Sequence, residues 1–138
     1  MTNAPKVYDK GDGWARVYPD GGAIVLPAAL TPVALATQNT TPTAAQLLGG
    51  LIDHASTTGA GTVTLDTAAN LDAAYPNAQP GDVFTCVYAN TGSQTVTITT
   101  NTGLTLKGTV AIPTAKNALL TFRKTGVAAW TVYITLSA

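Results

Sequence analysis

The sequence has 138 residues, the length of one domain, and seven Lys plus Arg balance seven Asp plus Glu. Only 10% of the residues are charged, against about 25% in ordinary soluble domains. Because so neutral a chain has no strong field to attract phosphates, we expect no direct binding to DNA or RNA. No apolar stretch approaches the roughly 20 residues of a membrane span, so we expect no membrane partner.

The threonine content is the part of the composition that best predicts the fold. The chain has 25 threonines and no glutamate. Threonine is β-branched, which favours strands and weakens helices, and glutamate and lysine are the usual surface helix formers. The composition therefore predicts a mostly β protein and argues against a helical bundle.

The first 42 residues differ from the rest in composition. They hold five of the eight prolines and the glycine-rich turns at 11–13 and 19–22. Proline fixes φ and lacks the N–H donor, so this segment is neither a regular helix nor a central strand. We expect residues 1–42 to form an extended arm with short strands at 15–18 and 23–26. An arm without its own core must lie either on its own domain or along a neighbour.

Two short helices are predicted after the arm. Thr43 and Gln46 have the spacing of a capping box, and Gly49 followed by Gly50 ends the helix that begins there. A second short helix is predicted over 67–75, closed by the proline that follows.

The remainder of the body has a β pattern. Short apolar segments that alternate with threonine are separated by turn residues, which is typical of a sandwich or jelly roll. Strands are predicted at 62–65, 82–89, 94–99, 104–107, 110–112, 117–124 and 130–136. The fold class that we predict is all-β: a jelly-roll-like β-sandwich over residues 43–138, with the N-terminal arm and one or two short helices.

The predicted core consists of apolar residues from these strands and the second helix. Where both neighbours along a strand are apolar, alternation does not decide which face is buried. The predicted core residues are Val63, Leu65, Leu71, Val83, Phe84, Val87, Val96, Ile98, Leu104, Leu106, Leu119, Phe122, Trp130, Val132 and Ile134.

Groups with catalytic or metal-binding chemistry are few. His54 stands beside Asp53, but no second His and no Glu exist to complete a zinc site, and we interpret His54 as a residue of a polar loop. Asp66 and Asp72 could pair as the carboxylates of a glycosidase, but we interpret Asp66 as a helix cap and Asp72 as solvent-exposed. We therefore predict no enzyme activity, no catalytic residue, no metal and no cofactor.

The single cysteine and the two tryptophans have structural and functional interpretations. Cys86 lies in an apolar strand pattern without basic neighbours, which favours a buried, unreactive thiol. Trp14 and Trp130 could stack on a sugar, although core packing is the preferred interpretation for Trp130.

The order of several motifs over residues 43–136 resembles structural proteins of tailed bacteriophages. The motifs are TAAQLLGG at 43–50, GTVTLDTAANL at 61–71, PGDVF at 80–84, ANTGSQTVTI at 89–98, TGLTLKG at 102–108 and WTVY at 130–133. Similar β modules occur in capsid decoration proteins, head fibres and tail fibres. At this length the chain looks most like a capsid cement or decoration protein of the Bordetella podophage type.

This resemblance implies a structural virion protein on the outer surface of the capsid, made in the host cytoplasm. Its partner would be the lattice of the major capsid protein, which it would stabilise. We expect it to bind itself as well, as a homodimer because twofold symmetry is the commonest, with a homotrimer as the other arrangement. We also expect Tyr8, Trp14 and Tyr18 to form part of the interface with a partner. The alternative is a fibre or tail-tip module that binds a host receptor or glycan.

Overall fold

The computed structural model describes part of the N-terminal region and almost all of the rest. It describes the backbone of residues 6–9, 14–17 and 23–26, and all of residues 31–56 and 58–138. The chain divides into two compact units, Met1–Leu30 and Thr31–Ala138, which we call the N-terminal unit and the body.

The N-terminal unit, which the sequence predicts as an extended arm with short strands, contains a small antiparallel sheet. Its strands pair in the order β1-β2-β3. They are β1 Lys6–Asp9, β2 Trp14–Val17 and β3 Ala23–Leu26. Two of them lie close to the predicted strands at 15–18 and 23–26, whereas β1 was not predicted. The glycine-rich segments at 11–13 and 19–22 lie outside the described residues.

The predicted boundary near residue 42 differs from the division that the structure shows. Residues 33–40 contain two short strands that pair in parallel with later strands of the body. These pairings are long-range, so local composition did not reveal them, and the proline content of the segment argued against strands. The body therefore begins at Thr31.

The body is mostly β with two short helices, which confirms the predicted class. Its elements are β4 Val33–Leu35, β5 Asn39–Thr40, α1 Ala44–Leu48, β6 Leu51–His54, β7 Gly61–Thr64, α2 Ala68–Ala74, β8 Val83–Asn90, β9 Val96–Thr99, β10 Leu104–Gly108, β11 Ala111–Ile112, β12 Lys116–Gly126 and β13 Ala129–Leu136. Strands β4, β5 and β6 were not predicted as strands: β4 and β5 lie in the proline-rich segment, and β6 directly follows the two glycines that end α1.

The strands form two mixed sheets. One has six strands in the order β10-β13-β12-β8-β6-β4, and the other has four in the order β11-β9-β7-β5. The chain crosses between the sheets after each strand from β4 to β11. As a result, β4, β6 and β8 stack in parallel in the first sheet, while β5, β7 and β9 do so in the second. Three successive coils of this kind resemble the winding of a β-solenoid.

The last part of the body closes the larger sheet with a long hairpin. β12 pairs antiparallel with β8 on one side and with β13 on the other, and β10 then adds in parallel to β13. Antiparallel and parallel ladders thus meet at β8. Both sheets contribute side chains to one hydrophobic core that includes Val63, Ile98, Tyr88, Phe122 and Trp130.

Both helices begin at threonine caps. The predicted capping box is confirmed: Thr43 Oγ1 accepts from the Gln46 N–H at 3.2 Å, and Gln46 Oε1 accepts from the Thr43 N–H at 2.9 Å. The second helix is capped by Thr67, not by Asp66 as predicted. Asp66 instead accepts from the N–H groups of Thr67 and Ala44, both at 2.8 Å, and so ties the start of one helix to the start of the other.

The predicted core is correct except on one face of the larger sheet. Val83, Val87 and Leu119 were expected inside, but they are 48%, 38% and 41% exposed. Along β8 the opposite set of alternate residues is buried, including Cys86 and Tyr88. Both sets are apolar, so the pattern alone did not distinguish them.

The residues that the structure describes contain neither a membrane-spanning helix nor a cluster of metal ligands. No helix among them is long and apolar enough to cross a membrane. Nor does any group of three or more His, Cys, Asp or Glu side chains in this part of the chain lie so that it could hold a metal ion.

Core packing predicts a large cost for truncating Phe122. Its ring is fully buried and stacks on Phe84 with 4.5 Å between ring centres. Phe122→Ala should lower the free energy of unfolding by about 3–5 kcal/mol because it leaves a cavity, as measured by urea denaturation. Val127→Ala is the control, since Val127 is 93% exposed and its loss should change stability by no more than about 0.5 kcal/mol. Equal stabilities of the two variants would contradict the assignment of the core.

Candidate interaction surface

The three residues predicted to contact a partner belong to the N-terminal unit. Tyr8 lies in β1 opposite Ala15, and Trp14 lies in β2 opposite Leu26. Tyr18 lies outside the residues that the structure describes, and the side chains of Tyr8 and Trp14 do too. Their assignment to an interface stays a prediction.

The body has a broad surface that sequence reasoning missed. It is the side of the six-stranded sheet that faces away from the core, and we call it the outer face. Its positions, read from the register of the strands, are Ala34, Leu51, Asp53, Val83, Thr85, Val87, Ala89, Thr105, Lys107, Asn117, Leu119, Thr121, Arg123, Thr131, Tyr133 and Thr135.

The outer face is apolar and threonine-rich. Val83, Val87, Leu119 and Tyr133 are among the most exposed large hydrophobic residues of the body, each between 38% and 48% exposed. The register places Val87 beside Leu119 on the neighbouring strand. Exposed apolar residues scattered singly are ordinary, whereas adjacent ones such as Val87 and Leu119 favour contact with another molecule.

A shallow depression lies at one end of the outer face. It has a volume of about 240 Å³, and its lining is almost entirely apolar. Val87, Leu119 and Leu136 line it together with Asn117, Thr135 and neighbouring atoms. Its shape and lining suit an inserted apolar side chain rather than a polar small molecule, which needs several converging donors and acceptors.

The charged groups of the outer face lie at its margins. Among the described residues these are Asp53 on β6, Arg123 near the end of β12 and Lys107 on the edge strand β10. Asp53 accepts a hydrogen bond from the Thr91 hydroxyl. An apolar centre with charges at its rim is the usual layout of a protein–protein interface.

The lone histidine has a structural position. We predicted His54 in a polar loop, but it is the last residue of β6 and is fully buried. Its Nε2 lies 2.7 Å from the Thr37 carbonyl oxygen and its Nδ1 lies 2.5 Å from the Tyr88 hydroxyl. A carbonyl only accepts, so Nε2 carries the proton and Nδ1 accepts from Tyr88. Burial raises the pKa of Tyr88 well above its ordinary range, which keeps the hydroxyl protonated as this bond requires.

Asp72 also differs from its predicted role. Instead of facing solvent alone, its carboxylate accepts from Lys124 Nζ at 2.5 Å, from the Ala128 N–H at 2.7 Å and from Trp130 Nε1 at 2.8 Å. Burial opposes the charged form, but these three bonds and the lysine charge outweigh it, so the pKa of Asp72 lies below its ordinary value. A carboxylate held in this way by a cation and two N–H donors has a structural role.

The remaining residues considered for chemistry belong to the core. Trp130 is 1% exposed and packs edge-on against Phe84, which confirms core packing and removes it from any sugar platform. Cys86 is buried as predicted, and burial raises the pKa of its thiol to about 12. A thiol with such a pKa is not a nucleophile at neutral pH.

The chain matches no known protein family, no curated protein and no solved structure.

The Asp72 cluster predicts a specific pH dependence. Because the pKa of Asp72 is lowered in the folded state, its stabilisation is complete above the ordinary aspartate pKa of about 4 and is lost as the pH falls through the folded value. Asp72→Asn should cost about 1–3 kcal/mol at pH 7 and should lose less stability than the parent between pH 5 and pH 3. Urea denaturation at both pH values measures this.

A matched variant separates this effect from general loss of carboxylate charge. Asp82 accepts a backbone hydrogen bond from Gln79 in a turn, so Asp82→Asn removes an equal charge elsewhere. It should keep the acid-induced loss that the parent shows. If Asp72→Asn and the parent lose the same stability on acidification, the role given to the cluster is wrong.

The buried His54–Tyr88 pair predicts energetic coupling. Tyr88→Phe leaves Nδ1 of His54 without its donor and should cost about 1–3 kcal/mol. His54→Leu should cost at least as much, while the double variant should lose about 1–2 kcal/mol less than the sum of the two. Tyr133→Phe, on the outer face, should change stability by less than about 0.5 kcal/mol. Additive losses in the cycle would refute the bond.

Proposed function

We propose that this chain is a structural virion protein of a tailed bacteriophage, a cement or decoration protein. It binds the outer surface of the major capsid protein lattice and stabilises the assembled shell. The observation that carries the proposal is the outer face, an apolar and threonine-rich surface whose charges lie at its rim among the described residues, because it suits contact between neighbouring copies of the chain on a shell. This is a surface for packing against protein, and it accords with the ordered phage-like motifs over residues 43–136.

A binder of this kind works through many weak contacts. Each copy needs only modest affinity, because a lattice presents the same site repeatedly and multivalent contact adds avidity. A protein that binds the assembled lattice and not its free subunits stabilises assembly by mass action. The division into two units is suited to this role, since one unit can contact the shell while the other contacts a second copy of the chain.

We assign the shell contact to the N-terminal unit, with Tyr8, Trp14 and Tyr18 as contributing residues. Aromatic side chains supply most of the binding energy in many interfaces. The assignment leaves the outer face of the body for self-association, which we propose occurs as a dimer.

A jelly-roll-like sandwich is the finer architecture that belongs to this proposal. Two sheets around one core support it. Jelly rolls are antiparallel, so the parallel pairing of β4, β6 and β8 would make this body a variant with solenoid-like coils on one side.

The alternative, a fibre or tail-tip module, predicted a glycan platform that included Trp14 or Trp130. Trp130 is buried, so this alternative would depend on Trp14 or on receptor contacts elsewhere. It predicts that the chain lies on the tail or on a fibre of the virion and not on the shell.

Removal of residues 1–30 should abolish binding to shells. The body, residues 31–138, should keep its circular dichroism spectrum and melting temperature to within a few degrees, because it has its own core. Co-sedimentation with purified phage heads that lack the protein measures binding. Trp14→Ala should weaken binding about 10-fold or more, whereas Val127→Ala should bind like the parent. Equal occupancy with and without residues 1–30 would contradict the assignment.

A further inference from the structure

The outer face has an arrangement of charge that identifies its partner. In the register of the six-stranded sheet, Asp53 lies opposite Ala89 on β8, which lies opposite Asn117 on β12. Leu119 is two residues further along β12. Asp53 is therefore two strands and two residues away from Leu119.

Lys107 is placed symmetrically on the other side of Leu119. Leu119 lies opposite Thr135 on β13; Tyr133 is two residues away on the same strand and lies opposite Lys107 on β10. Because β13 runs antiparallel to β12, the step from Thr135 to Tyr133 runs along the sheet away from Asn117 and therefore away from Asp53. Lys107 is thus two strands and two residues from Leu119 on the opposite diagonal, about 12 Å away at ordinary strand spacings.

We propose that the outer face binds the outer face of a second copy of this chain around a twofold axis at Leu119. The axis lies between the two faces, passes over Leu119 and is perpendicular to the line from Asp53 to Lys107. It therefore places Asp53 of each copy against Lys107 of the other. The two faces then make two equivalent ion pairs, one at each end, as an isologous interface requires. The opposite charges at symmetric positions favour a second copy over an unrelated partner.

The apolar residues also match under this operation. Leu119 meets its own copy at the axis, and Tyr133 of one chain meets the apolar region of Leu51 and Val87 on the other. Strands of the two sheets then cross at a large angle, within the range of orthogonal sheet packing. Tyrosine in such a position is a common source of binding energy.

The size of the outer face is close to what a dimer needs. The six strands have three to eleven residues each. At a strand spacing of about 4.8 Å and about 3.4 Å per residue, they cover on the order of 600 Å². Stable interfaces of standard size bury about 600–1,000 Å² from each partner. The shallow depression beside Leu119 gives the facing surface a place for an apolar side chain.

This inference rests on the self-association that forms part of the proposed function, and it is tested on the purified full-length chain without any shell. Sedimentation velocity should show a dimer at micromolar concentrations. Leu119→Arg should raise the dimer dissociation constant at least 100-fold, because two cations would meet in the dry centre. Ala111→Arg is the control: Ala111 is exposed on β11, in the four-stranded sheet, and the variant should dimerise like the parent.

A charge-reversal experiment tests the twofold arrangement itself. Asp53→Lys alone should weaken dimerisation about 10- to 100-fold, since two ion pairs become two repulsions. Lys107→Asp alone should do the same. An equimolar mixture of the two variants should form heterodimers within about threefold of the parent affinity, because both ends again join opposite charges. A purely structural role for either residue would not be rescued by mixing.

The outcomes separate this inference from the proposed function. A parent chain that is monomeric at 100 µM or trimeric, an unchanged dimer in Leu119→Arg, or a mixture no tighter than its components would overturn the twofold interface. A chain that binds phage heads while monomeric would overturn this inference alone. A chain that dimerises through the outer face and fails to bind heads would overturn the shell-binding proposal alone.

Discussion

The body depends on the alternation of side chains along β12. This eleven-residue strand pairs with β8 on one side and β13 on the other, so its register fixes both neighbours. Its inward row is Ala118, Leu120, Phe122 and Lys124, all of them buried. A slip by one residue would bring Leu119 and Arg123 inward and Phe122 outward. The same register places Leu119, Thr121 and Arg123 of β12 on the outer face.

Polar groups within the core make this register specific. Lys124 ends the inward row of β12, and its charge is met by Asp72 of α2 at 2.5 Å. Asn90 ends the inward row of β8; its side-chain amide donates to the carbonyls of Gln94 and Ile112, both at 2.8 Å. A buried polar group is costly without its partner, so another register would leave several of these groups unsatisfied. His54, the last residue of β6, likewise needs its bond to the carbonyl of Thr37, which lies between β4 and β5.

Threonine is abundant on the half-buried outer side of the four-stranded sheet. Thr64 and Thr99 lie opposite each other on β7 and β9, and their hydroxyls are 3.0 Å apart. Threonine packs well on a pleated surface and bonds to its neighbour across the ladder. On this side, neutral hydroxyls occupy positions where other proteins often place ions, in line with the low charge content of the chain.

Local patterns in the sequence predicted the local structure well. The Thr43–Gln46 capping box, the long strands and the burial of Cys86 and Trp130 follow from spacing over a few residues. The roles of His54 and Asp72 did not follow, because each depends on partners more than 30 residues away along the chain, Tyr88 and Lys124.

The outer face could not be found from the sequence for a related reason. In β8 the residues Val83 and Val87 alternate with Phe84 and Cys86, so both faces of the strand are apolar. Only the position of the second sheet decides which face is core. The threonines at 85 and 121 were the available signal, since each stands on the side that is exposed. The short strands at 33–40 were likewise defined only by their distant partners.

We propose that this chain is a shell-bound structural protein, and its position on an intact virion tests the proposal most directly. Cryo-electron microscopy of virions containing the chain, at a resolution that separates strands, would locate both sheets of the body. The account predicts density for the chain on the outer surface of the capsid, in contact with the major capsid protein and repeated over the lattice. Density confined to the tail or to a fibre tip, with none on the shell, would contradict it.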